Sequence, residues 1–290
     1  MIKKKANKRR SLWTDVWKRM RKNKTAVAGM VTFFIIVVIC FSSPLYYSYV
    51  DDVLSITTSK QLAPPSRDAL FGRDELGRDV LARVIWGGRT TLTITIFAVL
   101  FAFICGTILG TTAAYYSRFA DTIIMRFLDI IMSVPSILIM ICLATVMKPT
   151  PGSMIIVVGI GLIPGETRMV RGQVLQVVEN EFIESIRLNG ASDLKIILFH
   201  ILPNAISPII TTIILDAAWA VMSISTISFL GLGIQPPDPE WGTIMAGSQK
   251  YLRYAWHTVT LPGLALVVTL ISLTLVGDGI RDALDPKMKR

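Results

Sequence analysis

Few residues of this chain have types and spacing that could do chemistry. Gly72-Arg-Asp-Glu-Leu-Gly77-Arg78 copies the glycine spacing of a phosphate-binding loop. It has Arg78 where such a loop needs lysine, and Asp79 where it needs a hydroxyl to hold Mg²⁺. No strand-then-helix pattern surrounds it, so it is not a nucleotide site. Gly231-Leu-Gly233 lacks the third glycine of a dinucleotide fingerprint and runs into Pro236, Pro237 and Pro239, which predicts a rigid turn. His200 has no ligand partners at metal-binding spacing and is expected to be structural. Cys40, Cys105 and Cys142 fall within apolar runs and read as small apolar fillers. No HExxH helix, serine dyad or aspartate pair suited to hydrolysis inside a bilayer is present. The chain is therefore not expected to be an enzyme, and no catalytic, cofactor-binding or metal-ligating residue is assigned.

Charged residues inside apolar runs are the remaining suspects, because ionisable groups at membrane depth are costly. Glu166, Arg168 and Arg171 interrupt one run, Arg126 and Asp129 another, and Asp216 a third. Snorkelling to an interface accounts for Arg126, Asp129 and Arg171. Asp216 lies too deep in its run for that and is expected to face the bundle or a pathway. Asp278 is a second candidate for a pathway or gate. With Arg281 and Asp282 it sits at the end of the last run, where pairing among the three and contact with a partner are both open.

Composition defines the elements that hold these residues. Hydrophobic residues make up 52% of the 290 positions and charged residues only 17%, against about 25% in soluble domains. The mean hydropathy is +0.56. Roughly 20 apolar residues cross a bilayer as helix, and six segments qualify: about 25–47, 90–116, 122–147, 153–171, 205–230 and 259–281. The fold class is therefore an all-α membrane protein. The net charge of +10 does not indicate nucleic acid, since eleven of the 30 Lys and Arg precede residue 25, directly before the first apolar run. Residues 1–24 read as a basic cytoplasmic arm and 25–290 as one transmembrane domain. The first run, Thr25 to about Leu45, is too long for a signal-peptide core and is expected to be retained. Starting inside, six spans return the basic C-terminus to the cytoplasm. Loop 172–204 then faces the cytoplasm, and loops 48–89 and 231–258 face outward.

The cytoplasmic loop contains a bent helical element at 181–204, EFIESIRLNGASDLKIILFHILPN. Glu181 to Leu188 predicts a short helix, and Gly190 sits where a left-handed cap would end it. Ser192 is expected to cap a second helix through its side chain, with Asp193 in the first turn; that helix is expected to stop before Pro203. Phe182, Ile183 and Ile186 form an apolar stripe. A protein partner could cover it, or the helix could lie on the membrane or on its own bundle.

Glu184, Gly190, His200 and Pro203 at these spacings resemble the coupling (EAA) loop of ABC-importer permeases. The alanines usual after the glutamate are replaced by Ser185 and Ile186. FGRDELGRDVLARVIWGGRTTL (71–92), FLGLGIQPPDPEW (229–241) and VGDGIRDALDP (276–286) resemble further blocks of the dipeptide, oligopeptide and nickel permeases, second or C-type subunit. The resemblance implies a type I importer permease with six transmembrane helices in a bacterial cytoplasmic membrane, moving di- or oligopeptides. The alternative cargo is nickel or a metal chelate. It further implies a homologous second permease, two ATPase subunits that bind ATP and Mg, and an extracytoplasmic binding protein. Phe182, Ile183, Glu184, Ile186, Gly190, Ala191, Ser192, His200 and Pro203 would then couple the chain to the ATPase. An ion-driven secondary transporter is the rival from another class, but it would show paired broken helices in matching halves. A non-transporting membrane scaffold is a second rival, which would co-purify with no ATPase subunit.

Overall fold

Apolar runs of this length lack water to satisfy their peptide groups, and helix is the state that pairs them internally. The computed structural model describes residues 12–284, and no β-strand occurs among them beyond one antiparallel bridge between Arg73 and Asp79. In chain order the helices are α1 (Leu12–Met20), α2 (Lys24–Phe41), α3 (Val80–Tyr116), α4 (Arg118–Met132), α5 (Ser136–Val146) and α6 (Pro151–Val178). They continue with α7 (Glu181–Leu188), α8 (Asp193–Ile196), α9 (Leu202–Phe229), α10 (Trp241–Ser248) and α11 (His257–Leu284). Helices α2, α3, α6 and α11, and the continuous stretch Asp193–Phe229, are each long and apolar enough to cross a bilayer. Together α4 and α5 make a sixth passage, bent by 83°.

Helix ends follow local chemistry more closely than hydropathy. α2 stops at Phe41, short of the run expected at about 25–47, because Ser42, Ser43 and Pro44 follow and the Ser42 hydroxyl donates back to the Val38 carbonyl at 2.5 Å. α3 begins at Val80, well before the run expected at about 90–116. Arg83 and Arg89 dilute the hydropathy there, yet the Asp79 side chain caps the helix by accepting from Ala82 N at 3.0 Å. The run expected at about 122–147 is interrupted at Ser133–Pro135, since Pro135 has no amide hydrogen and disfavours helix at Val134. α6 runs past the expected 153–171 in both directions and stays continuous across Pro164. Thr150 and Ser153 cap it reciprocally. The second elbow helix, α8, ends at Ile196, before Pro203 as expected, but the helical path does not stop there. A π turn at Ile197–Ile201 leads into α9 and accommodates the missing amide and the proline ring.

Lipid supplies no hydrophobic drive between helices, so close backbone approach must do more of the work. α3 and α6 pack along much of their length. Gly106 and Gly110, one turn apart on α3, permit it. A Cβ on Gly106 would lie 2.7 Å from Glu166 Cγ, and one on Gly110 would lie 2.6 Å from the Thr167 carbonyl oxygen. A central apolar cluster joins Ile94 and Ala98 to Met140, Met154, Val158, Ile224 and Ile227. A second cluster, nearer the elbow, joins Val170 and Val174 to Ile183, Ile196, Ile201 and Ile209. Phe34, Phe97, Ile108 and Ile271 remain exposed on the bundle's exterior. At the elbow end, α1 packs Val16 and Met20 against Ala283 of α11. The elbow and the end of α11 thus lie at one end of the bundle, and the loops around α10 at the other.

Candidate functional site

The elbow is built from α7, a glycine corner and α8. α7 spans Glu181–Leu188, the range the sequence predicts, and Gly190 follows with φ +79°, a conformation cheap only for glycine. A Cβ there would meet nothing within 4 Å, so the backbone angle, rather than crowding, calls for glycine. Ser192 has the extended backbone of a cap, but its side chain makes no capping hydrogen bond, contrary to expectation. Asp193 instead accepts from the Tyr115 hydroxyl at 2.7 Å, and the Arg187 guanidinium lies 5.1 Å from the Tyr115 ring centre. Tyr115, at the end of α3, therefore clamps both arms of the corner. Sequence reading missed this residue because it lies 78 positions from its partner.

The stripe on α7 divides. Ile183 is 1% exposed, and Ile186 and Ala191 pack partly into the same cluster. These three residues hold the elbow to its own bundle. Phe182, Leu188 and Leu194 remain uncovered, at 43%, 83% and 67% exposure, with Glu184 and Ser192 exposed among them. His200 is half-buried in the π turn and its carbonyl accepts from Asn204 Nδ2 at 2.6 Å; Pro203 is exposed. Among the described residues no group of His, Cys, Asp and Glu is arranged to hold a metal ion.

The opposite end is a clasp that the sequence did not reveal. Asp74 is buried and accepts from Arg78 Nε at 2.7 Å and from the Leu76 and Arg78 amides at 2.9 Å each. Arg83 lies 3.4 Å from the same carboxylate and donates to the carbonyls of Val53 and Pro237, at 3.2 and 3.3 Å. Glu240, fully buried, accepts from Thr91 Oγ1, Ser225 Oγ and the Thr243 amide at 2.9–3.1 Å. Trp241 Nε1 donates to the Val84 carbonyl at 2.8 Å. Tyr49 donates to Asp238, and burial together with that carboxylate pushes its phenol up to about 12.

Between the two ends lie the charges of the apolar runs. Arg171 donates to Asp121 at 2.5 and 2.6 Å, and Arg168 pairs with Asp129. Ion pairing to α4 therefore accounts for Arg171 and Asp129, which snorkelling was expected to explain. Asp278, Arg281 and Asp282 are exposed and form no salt bridge with one another. Asp216, on α9, is half-buried on the wall of a cleft, and Glu166 is on α6, which packs against α9. Glu166 is 2% exposed, and neither of its oxygens has a hydrogen bond of good geometry. Asp216 borders a cleft of about 340 Å³ whose walls include Ile131, Pro135, Pro164, Gly165 and Trp219.

A bundle of five or six apolar passages, with a cleft among them and a helical elbow at one end, defines a multi-spanning α-helical membrane protein. Residues 106–290 match the family described as binding-protein-dependent transport system inner membrane component, and residues 11–65 match the N-terminal TM domain of oligopeptide transport permease C. The chain belongs to this permease family. It is 37% identical over 279 residues to the dipeptide transport system permease protein DppC of Alkalihalophilus pseudofirmus, covering 96% of this chain and 91% of that one. It is 34% identical to the di/tripeptide transport system permease protein DppC of Pseudomonas aeruginosa, covering 95% and 92%. With the glutathione transport system permease protein GsiD of an Escherichia coli strain it shares 37% over 97% and 92%. A solved structure of the MetNI methionine ABC transporter, inward facing, superposes with a TM-score of 0.56 at 19% identity. It covers 71% of this chain and 98% of that chain, a likeness of fold.

Proposed function

We propose that this chain is one of two membrane subunits of an ATP-driven importer of di- and oligopeptides in a bacterial cytoplasmic membrane. The observation that carries the proposal is the elbow. Its inner face is glued to the bundle through Ile183, while Phe182, Leu188 and Leu194 stay uncovered at a bundle end. Apolar side chains left open in this way, on a corner braced by Tyr115, suit a groove on a separate motor protein. The ATPase subunits bind ATP and Mg and hydrolyse the nucleotide; this chain transmits their closure. The elbow, the basic α1 and the end of α11 face the cytoplasm, in keeping with the basic residues flanking α2. The clasp faces outward and receives a peptide-loaded binding protein. The identity to peptide permeases supports the cargo class.

Reconstitution of this chain with its partner permease, the ATPase subunits and the binding protein into vesicles tests the reading. Uptake of labelled alanyl-alanine should require ATP on the elbow side. Uptake driven by an ion gradient without ATP would instead favour the secondary transporter.

A further inference from the structure

Glu166 and Asp216 are not used by the docking of an ATPase or of a binding protein; Glu166 is buried in the bundle and Asp216 is half-buried on a cleft wall. Each comes from a different long helix, α6 and α9. Two carboxylates held on neighbouring helices where water is scarce repel each other, and both stay ionised only where a cation compensates them. Among the described residues no lysine or arginine forms a salt bridge with either carboxylate. The nearest arginines along α6, Arg168 and Arg171, are already held by Asp129 and Asp121 of α4. Glu166 is 98% removed from solvent by its 2% exposure, and both of its oxygens are without a partner. Its stem is pressed against Gly106, so the side chain has little room to turn elsewhere.

The cleft beside the pair has the matching character. Asp216 and Trp219, one turn apart on α9, both line it, and the rest of the wall is mostly apolar. An aromatic face near a carboxylate favours a cation twice, once through the ring's electron-rich face and once through charge. A volume of about 340 Å³ suits a small organic ligand.

We propose that Glu166, Asp216 and Trp219 form a mid-membrane subsite for a primary ammonium group, with Asp216 and the Trp219 ring touching the cation and Glu166 adding a second negative charge behind them. The assignment of that ammonium to the amino terminus of a passing short peptide rests on the peptide-importer reading above. The subsite holds the charged end of the cargo where a bare apolar passage would reject it.

The test uses the complete transporter in vesicles and in nanodiscs. Glu166→Gln and Asp216→Asn keep size and hydrogen-bonding capacity but remove charge, whereas Asp216→Glu keeps charge. Alanyl-alanine uptake should fall roughly tenfold or more in D216N and less in E166Q, at equal assembled complex, with D216E retaining most of the rate. The concentration of loaded binding protein giving half-maximal uptake should not move, because that protein docks elsewhere. Wild-type uptake in both E166Q and D216N overturns the proposal, leaving the pair as packing alone; if D216N does not assemble, E166Q decides by the same criterion. The second arm is independent of the peptide reading: methylammonium is titrated into the nanodisc complex without binding protein. A saturable fluorescence change that Trp219→Phe removes and E166Q weakens supports the subsite, and its absence in the wild type overturns it. If methylammonium binds while no peptide is transported, the peptide reading fails and the subsite stands.

Discussion

The clasp at one end of the bundle and the elbow at the other are made from similar material, short segments joining long helices, yet they end in opposite states. In the clasp, buried charges meet buried partners: Asp74 holds Arg78 and Arg83, and Glu240 gathers three donors from three segments. The buried charges there are closed by their own partners, while Leu70, Tyr254 and Trp256 on the same loops stay exposed at the rim. In the elbow, Leu188 and Leu194 are largely exposed and the Gly190 corner stands in open space. Buried charges that compensate one another make a rigid platform, whereas an apolar helix face left uncovered beside a hinge-like corner suits a partner's groove. The first sets the shape of the loops at its end of the bundle, and the second is the face that the proposed function assigns to a partner.

The sharpest way to break this comparison is to attack the clasp. Asp74→Ala leaves two buried guanidinium groups with much of their counter-charge gone and should cost about 4 kcal/mol. Thermal unfolding in detergent would show this as a clear drop in midpoint; an unchanged midpoint would mean the clasp is not a platform. Next in size is a contrast within the elbow. Ile183→Ala should cost about 3 kcal/mol, because Ile183 sits in a closed cluster. Leu188→Ala should cost less than about 0.5 kcal/mol in the isolated chain, since Leu188 is 83% exposed. Equal costs would erase the distinction between the elbow's inner and outer faces. Gly190→Val should destabilise by roughly 1–2 kcal/mol through its left-handed backbone alone. Uptake should nonetheless collapse at normal membrane abundance while ATP hydrolysis continues, because the corner no longer keeps its angle. The smallest effect separates two caps. Thr150→Ala removes a reciprocal pair and should cost about 1 kcal/mol. Ser192→Ala removes no capping bond and should fall below about 0.5 kcal/mol.

Much of the elbow was legible in the sequence because its determinants are local. A helix of eight residues, a glycine able to adopt positive φ and an acid in the next first turn act over a handful of positions. Where prediction stopped, tertiary contacts decided. The Ser192 side chain makes no cap while Asp193 bonds the Tyr115 hydroxyl across the fold, and the stripe of α7 was shared out by a cluster drawn from α6, α8 and α9. Hydropathy placed the apolar passages but misjudged their ends. Arg83 counted against α3 in the sequence, although in the structure it is buried among carbonyls and Asp74. Asp216 was suspect from depth alone, and Glu166 from its helix. That the helices carrying them pack together depends on the tertiary fold, which no spacing in the chain encodes. The clasp stayed hidden for the same reason, since Glu240 draws on Thr91 from 149 residues away.

Proximity between the elbow and a motor subunit is the most direct test. Leu188→Cys, in a chain whose three cysteines are replaced by serine or alanine, would be co-expressed with the candidate ATPase subunits and treated with a short thiol-to-amine crosslinker in native membranes. The account predicts one dominant adduct between this chain and an ATPase subunit, lost when Phe182→Asp or Leu194→Asp is added. An adduct-free Leu188→Cys, accessible only to reagents applied from outside intact cells, would contradict it.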